Sequence, residues 1–85
     1  MANIDKYDKV FIEVFSVSQG ELGTGFSFSN ISAWDSVAHM ELIASLEDAF
    51  GIMFDTEDIL AFSSYEEGKA LLAKYDVLMN DEGER

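Results

Sequence analysis

The hydroxyl of Ser36 is the side chain best suited to chemistry in this 85-residue chain. A carboxylate precedes it at Asp35, and the sole histidine, His39, follows within one helical turn. A Ser–His pair would suggest nucleophilic catalysis, but this serine does not lie in the Gly-x-Ser-x-Gly turn of hydrolases, and no oxyanion hole is indicated. A lone histidine near a helix end is more often a packing or surface residue. We therefore assign no catalytic residue.

Other kinds of site are excluded by missing residue types. The chain has no cysteine, which excludes disulfides, thiolate catalysis and zinc fingers. The glycines of segment 20–25 lack the Gly-Lys-Ser/Thr of a phosphate-binding loop. Segment 55–66 has acidic ends at the spacing of a calcium loop. However, Ile59 and Leu60 occupy the positions that need an oxygen ligand and a glycine. No metal site is predicted.

The charge balance is strongly acidic. Seventeen Asp and Glu residues face five Lys and Arg residues, which gives a net charge of −12. No Lys or Arg lies between Val10 and Gly68. Such a chain repels nucleic acids and anionic membranes and attracts proteins with basic docking surfaces.

The composition fits one small folded domain. Hydrophobic residues make up 48% of the chain, enough for one core and too many for a disordered acidic tail. The N-terminus lacks the basic and apolar regions of a secretory signal, and no apolar run is long enough to span a membrane. We expect one domain over residues 1–79, a flexible polar tail over 80–85, a cytoplasmic location and a monomer.

Hydrophobic periodicity predicts two helices in the first half of the chain. An apolar stripe at helical spacing covers residues 4–17, and a stronger one covers 36–50, followed by Gly51 as a natural C-cap. Segment 20–35 between them is interpreted as a long loop. Its alternation at residues 26–29 resembles a strand, but a single strand would have no partner. We expect Phe28 or Ile31 to pack onto the core.

Two further helices are predicted in the second half. Asp55 or Thr56 can cap a short helix through Phe62, and Ser63 with Glu66 has the spacing of a capping box that opens the last helix. The predicted fold class is all-α. We expect a small four-helix bundle of three long helices and one short helix, with a long first loop.

The segment Trp34–Ile43, WDSVAHMELI, resembles the acyl carrier protein family, whose hallmark is Asp-Ser-Leu or a similar triplet at the start of the second helix. The resemblance covers nearly the whole chain. It includes the helix order, the long first loop, the run LIASLEDAF at 42–50 and the acidic restart DTED at 55–58. An acyl-carrier-like bundle is the fold that this resemblance implies.

The resemblance implies that Ser36 carries 4′-phosphopantetheine, transferred from coenzyme A by a separate phosphopantetheinyl transferase. Asp35 would cap the helix and share the magnesium ion of the transferase, without a standing metal site. Elementary physics agrees with this placement, because free N–H groups at a helix start favour a phosphodiester. The alternative is that Asp35 and Ser36 only cap the helix, which is compatible with modification.

The resemblance also implies an acidic docking face that partner enzymes contact with Arg and Lys. The expected partners are an acyl-loading ligase or transferase and synthase enzymes with basic patches; the alternative is a solvated helix face. An acyl chain on the arm would enter a pocket whose candidate residues are Ile43, Leu46, Phe54, Phe62 and Leu72. The acidic docking face comprises Val37, Met40, Glu41, Ala44, Glu47, Asp48, Asp55, Glu57 and Asp58.

The chain departs from the family pattern after the serine. Fatty-acid carriers usually have Leu and then an acidic residue, whereas this chain has Val37 and Ala38. The form Trp34-Asp35-Ser36 is more similar to carriers of specialised pathways, such as polyketide, modified-lipid or aminoacyl transfer. Two alternatives stay open: an aminoacyl, peptidyl or D-alanyl carrier, and an acidic helical adaptor that is never modified.

Overall fold

The structure, a computed structural model, describes residues 3–79, which form four α-helices in the predicted order. This confirms the all-α class, although the last helix has nine residues and is shorter than the long helix predicted there. The predicted polar tail lies outside the described residues. The helices are α1 Asn3–Phe15, α2 Ser36–Phe50, α3 Thr56–Ala61 and α4 Tyr65–Ala73.

Helix α2 has the predicted bounds because both of its ends are capped locally. The backbone of Asp35 is extended, and its carboxylate accepts a hydrogen bond from the Ala38 amide at 2.9 Å. At the other end Gly51 adopts a left-handed conformation, with φ +66°, and its N–H donates to the carbonyl of Glu47. Both devices satisfy backbone groups that a helix end leaves without partners.

Helix α4 begins one residue later than the predicted capping box. Ser64, not Ser63, is the N-cap, and its hydroxyl accepts from the Glu67 amide at 2.9 Å. The carbonyl of Ser63 is engaged elsewhere, because it accepts from the Phe28 amide at 2.8 Å. Pairing with the long loop therefore sets the position of this cap.

The alternating loop segment at residues 26–29 pairs with the linker before α4, a partner that could not be predicted from the sequence. Ser27 and Ser64 form an isolated antiparallel bridge, and the Tyr65 amide donates to the carbonyl of Phe26 at 2.9 Å. The chain turns directly afterwards, since the Asn30 amide bonds back to Ser27 at 3.1 Å. The loop is thereby tied to the linker between α3 and α4.

The same turn decides which loop side chains enter the core. Phe26 and Trp34 are each 2% exposed, and Ile31 is partly buried against the core. Phe28, by contrast, lies past the bridge and is 53% exposed, so of the two residues expected on the core only Ile31 packs there. The loop contributes two aromatic rings to the centre of the bundle.

The core is built around the ring of Phe11, which is fully buried. Phe11 lies on α1, and rings from α1 itself, from the long loop, from the α3–α4 linker and from α4 surround it at centroid distances of 4.9–6.3 Å. Most of these pairs are tilted or edge-on, the arrangements that aromatic rings prefer. The surrounding rings are Tyr7, Phe15, Phe26, Trp34, Phe62 and Tyr65.

Hydrogen bonds to a buried carboxylate join α1 to α4. Asp8 is 6% exposed and accepts from the hydroxyl of Tyr65 and from Nε2 of Gln19, the latter at 2.6 Å. Burial, together with the bond to Asp8, raises the pKa of Tyr65, so its hydroxyl remains a donor over the physiological range. Tyr7 donates to the carbonyl of Tyr65 at 2.6 Å. A buried acid with these partners is compatible with a stable core.

We predict that Gly68→Ala destabilises the protein by about 1–3 kcal/mol, although alanine is the better helix former. A Cβ at this position in α4 would overlap the ring of Phe62 and the hydroxyl of Tyr7. Chemical denaturation of the variant measures the effect. Gly25→Ala is the control, because a Cβ there meets nothing within 4 Å. Equal stabilities of the two variants would contradict the packing argument.

Candidate functional site

Ser36 is exposed and is the first residue of α2. The carboxylate of Asp35 bonds the Ala38 amide, and the backbone carbonyl of Asp35 accepts from the His39 amide at 2.8 Å. The amides of Ser36 and Val37 have no acceptor within the helix. The site thus combines an accessible hydroxyl with helix-terminal N–H groups that favour an anion.

An apolar groove begins at Ser36 and runs between the first turn of α2, helix α3 and the linker that follows it. Its cavity volume is about 350 Å³. We call it the Ser36 groove. Apart from two serine hydroxyls and one imidazole, aliphatic, thioether and aromatic side chains form its lining: Phe28, Ser36, His39, Met40, Ile59, Leu60, Phe62 and Ser63.

One wall of the Ser36 groove is fixed by both nitrogens of His39. The indole N–H of Trp34 donates to Nδ1 at 3.0 Å, and Nε2 lies 2.8 Å from the carbonyl of Ile59. The neutral Nε2–H tautomer satisfies both contacts, because Nδ1 then accepts and Nε2 donates. His39 therefore has no free nitrogen with which to activate Ser36. It joins the end of the loop, α2 and α3.

These contacts of His39 could hardly be predicted from the sequence. His39 was expected to be a packing or surface residue, but its partners lie in the preceding loop and in α3, segments that hydrophobic periodicity does not relate to each other. The spacing of Trp34 and His39 around the helix start is the one local signal, because it puts an indole donor beside the first turn. Phe28 and Leu60 were likewise not predicted as groove residues, because their exposure depends on how the loop and α3 pack and not on the hydrophobic periodicity of the sequence.

The acidic docking face is exposed over most of its length. Val37 is 70% and Met40 is 55% exposed, so this face offers apolar as well as charged surface. Glu47 is half-buried and accepts from the Phe54 amide at 2.9 Å, so it orders the chain after α2. The remaining exposed members are Glu41, Ala44, Asp48, Asp55 and Glu57.

Asp58 is not available to a partner, which corrects the role expected for it. It is 5% exposed and accepts from Nζ of Lys74 at 2.7 Å and from the hydroxyl of Tyr75 at 2.5 Å. These two hydrogen bonds, that of Lys74 foremost, lower the pKa of the carboxyl. Tyr75 also accepts from the Asp55 amide at 3.0 Å. Asp58 therefore ties α3 to the chain after α4.

The five pocket candidates do not share one cavity with Ser36. Phe62 lines the Ser36 groove and is 1% exposed. The other four lie in the hydrophobic core and are absent from the lining of that groove. They are Ile43, Leu46, Phe54 and Leu72.

Within residues 3–79, no group of three or more His, Asp or Glu side chains could hold a metal ion. No helix in this part of the chain is long and apolar enough to cross a membrane.

No protein-family model matches the chain, and no curated protein or solved structure matches it at a significant level.

We predict that Asp58→Asn lowers stability at neutral pH and that this loss shrinks in acid. Because the folded pKa of Asp58 is lowered, its contribution is complete above the unfolded value of about 3.9 and declines as pH falls through the lower folded value. Urea unfolding at pH 7 and below pH 4 measures the difference. Glu57→Gln, on the exposed side of α3, serves as control and should change little. A loss for Asp58→Asn that stays constant with pH would refute the ion-pair explanation.

We predict that His39→Leu destabilises the protein by about 1–3 kcal/mol, since the Trp34 indole and the Ile59 carbonyl both lose a partner. Trp34→Phe removes the indole donor while keeping an aromatic ring. In that background His39→Leu should cost less, and a double-mutant cycle by chemical denaturation measures the coupling. Strictly additive effects would show that the bond between the two rings is not stabilising.

Proposed function

We propose that this chain is a non-catalytic carrier protein of the acyl carrier type, in which Ser36 holds a 4′-phosphopantetheine arm. One observation supports this above the others. The Ser36 hydroxyl is exposed at the N-terminus of a 15-residue helix and lies on the rim of an apolar groove. The acyl-carrier-like form of the four-helix fold is part of the proposal.

The attachment uses Ser36 as nucleophile and a transferase as catalyst. A bond forms between Oγ of Ser36 and the phosphorus of the phosphopantetheine half of coenzyme A, while the pyrophosphate bond to the adenosine bisphosphate half breaks. The hydroxyl proton passes to a base on the transferase, which agrees with the engagement of both His39 nitrogens. The product phosphodiester is an anion at a helix N-terminus, where the dipole contributes about 0.3–1 kcal/mol.

When attached, the arm supplies a thiol that carries acyl groups as thioesters for fatty acid, polyketide or related lipid synthesis. The residues of the chain present that arm to successive enzymes. Tethering keeps the acyl group at a high effective concentration beside a docked enzyme. The apolar lining of the Ser36 groove favours acyl cargo over the aminoacyl alternative.

The acidic docking face supports the choice of partners. Val37 and Met40 flank Ser36 with exposed apolar surface, and Glu41 and Asp48 add exposed carboxylates along the same helix. This mixture suits the basic patches of a phosphopantetheinyl transferase, of a loading ligase or transferase and of synthase enzymes. Steering of this kind weakens with salt, because the Debye length is about 8 Å at physiological ionic strength. We place the carrier, as a monomer, in the cytoplasm.

Intact-mass analysis tests the proposal. The protein is incubated with coenzyme A and a broad-specificity transferase, and we expect the mass of one phosphopantetheinyl group to be added. Ser36→Ala should abolish the gain. Ser63→Ala is the matched control, because Ser63 is also exposed and lines the same groove, and it should leave the gain intact. An unchanged mass of the wild-type protein would refute the carrier and favour the unmodified acidic adaptor.

A further inference from the structure

We infer that Lys6 and Lys9 of α1 form a cationic border that ends the acidic docking face at Asp48 and confines a basic partner to the half of α2 nearest Ser36. The inference rests on the proposed function, since the partner is the enzyme that modifies Ser36. It gives a role in recognition to two residues outside the docking face, and it removes Asp48 from the surface that the partner contacts.

Both lysines of the cationic border line a cleft between α1 and α2. The cleft has a volume of about 300 Å³ and lies along the second half of α2, away from Ser36. Two ammonium groups, two carboxylates and one hydroxyl belong to its lining: Lys6, Lys9 and Glu13 from α1, and Asp48 and Ser45 from α2. Asp48 is therefore part of the docking face and of this mixed-charge cleft at once.

Lys6 is held in position by a ring contact. Its Nζ lies 4.9 Å from the ring centroid of Phe50, the last residue of α2, and Lys6 is half-buried. The ring quadrupole attracts a cation over the aromatic face, and the helix dipole favours a cation at the C-terminus of a helix. The positive charge of Lys6 is therefore kept beside the end of α2.

Lys9 adds a charge that no acidic side chain neutralises at contact distance. It is exposed, and within residues 3–79 the ion pairs closer than 4.0 Å join Lys69 to Glu66 and Lys74 to Asp58. The lysines of the second half of the chain are thus paired with carboxylates, whereas those of the cationic border are not. Their charge remains available to act on an approaching protein.

The charge along α2 therefore differs between its two ends. Neither α2 nor α3 contains Lys or Arg, and the exposed charged residues near the start of α2 and on α3, such as Glu41 and Glu57, are acidic. Asp48 lies about 18 Å from Ser36 along the helix, at 1.5 Å per residue. There the two carboxylates of the cleft are balanced by its two ammonium groups. A basic patch is attracted to the first end and gains little at the second.

Screening keeps the two ends independent. The Debye length is about 8 Å at physiological ionic strength, and Glu41 and Asp48 are about 10 Å apart along the helix. The cationic border therefore acts on a group that contacts Asp48 and hardly on one that contacts Glu41. A partner displaced towards the end of α2 would place its own Arg and Lys against the border, and like charges would oppose it. Repulsion of this kind keeps the partner over Ser36.

Steady-state kinetics of phosphopantetheinyl transfer test the cationic border. A broad-specificity transferase and coenzyme A are used, the carrier concentration is varied, and KM and kcat are obtained at low and at high salt. The matched variants are Lys9→Gln and Lys69→Gln. Each removes one positive charge, but Lys69 lies on α4 and is paired with Glu66 at 3.2 Å. Chemical denaturation verifies that both variants are folded.

We expect Lys9→Gln to lower KM for the carrier about twofold to fourfold at low salt, with little change in kcat, because the partner then gains the attraction of Asp48. Lys69→Gln should leave KM unchanged, and the effect of Lys9→Gln should vanish at about 1 M salt. Asp48→Asn should have no effect on the wild-type protein but should raise KM in the Lys9→Gln background. Glu41→Gln should raise KM in both.

The outcomes separate the two proposals. If the wild-type protein accepts no phosphopantetheine, the proposed function fails and the cationic border fails with it. If transfer occurs but Lys9→Gln and Lys69→Gln change KM equally, only net charge matters and the border is wrong. An unchanged KM for Lys9→Gln, or a raised KM for Asp48→Asn in the wild-type background, also overturns the border while leaving the carrier function standing.

Discussion

The geometry around Ser36 depends on the two hydrogen bonds of the His39 imidazole, one to Trp34 and one to Ile59. Helix α3 has six residues, too few for stable helical structure from its own hydrogen bonds. It is held instead by side chains from other elements: Nε2 of His39 bonds the carbonyl of Ile59. Nδ1 of the same ring accepts a hydrogen bond from the buried indole of Trp34, so His39 connects α3 to the core. Without this ring α3 would lose its link to the loop and to α2, and only the bonds of Asp55 and Asp58 to the chain after α4 would hold it.

Local signals were sufficient for α2, and the reason is physical. Asp35 and Gly51 form hydrogen bonds with backbone groups a few residues away at the two helix ends, so the neighbouring residues alone determine where α2 begins and ends. The presence of four helices in order followed from apolar spacing in the first half of the chain and from capping residues in the second half. The exposure of Ser36 follows from the same local cap. This part of the candidate site could therefore be predicted.

The remaining features depend on contacts between distant segments. The bridge between Ser27 and Ser64 moved the start of α4 by one residue and turned Phe28 outward, and no short window of sequence contains both serines. Asp58 looked like one more surface acid, but Lys74 and Tyr75 meet it only after α3 and α4 have packed. Acidic residues that look equivalent in the sequence therefore have different roles. Some, such as Glu57, are exposed and add to the negative surface charge, whereas Asp8 and Asp58 are buried and hydrogen-bonded.

Three side chains from other elements, those of His39, Lys74 and Tyr75, anchor α3. His39 holds it near its C-terminus, and the hydroxyl of Tyr75 accepts from the Asp55 amide at its N-cap. Helix α3 also buries little apolar surface on its outer side, where Leu60 is 79% exposed. Elements with few buried contacts open at lower free energy than the whole molecule. Release of these anchors is expected to cost less free energy than unfolding the aromatic core, so α3 and the wall that it forms beside Ser36 can open while the rest of the bundle stays folded.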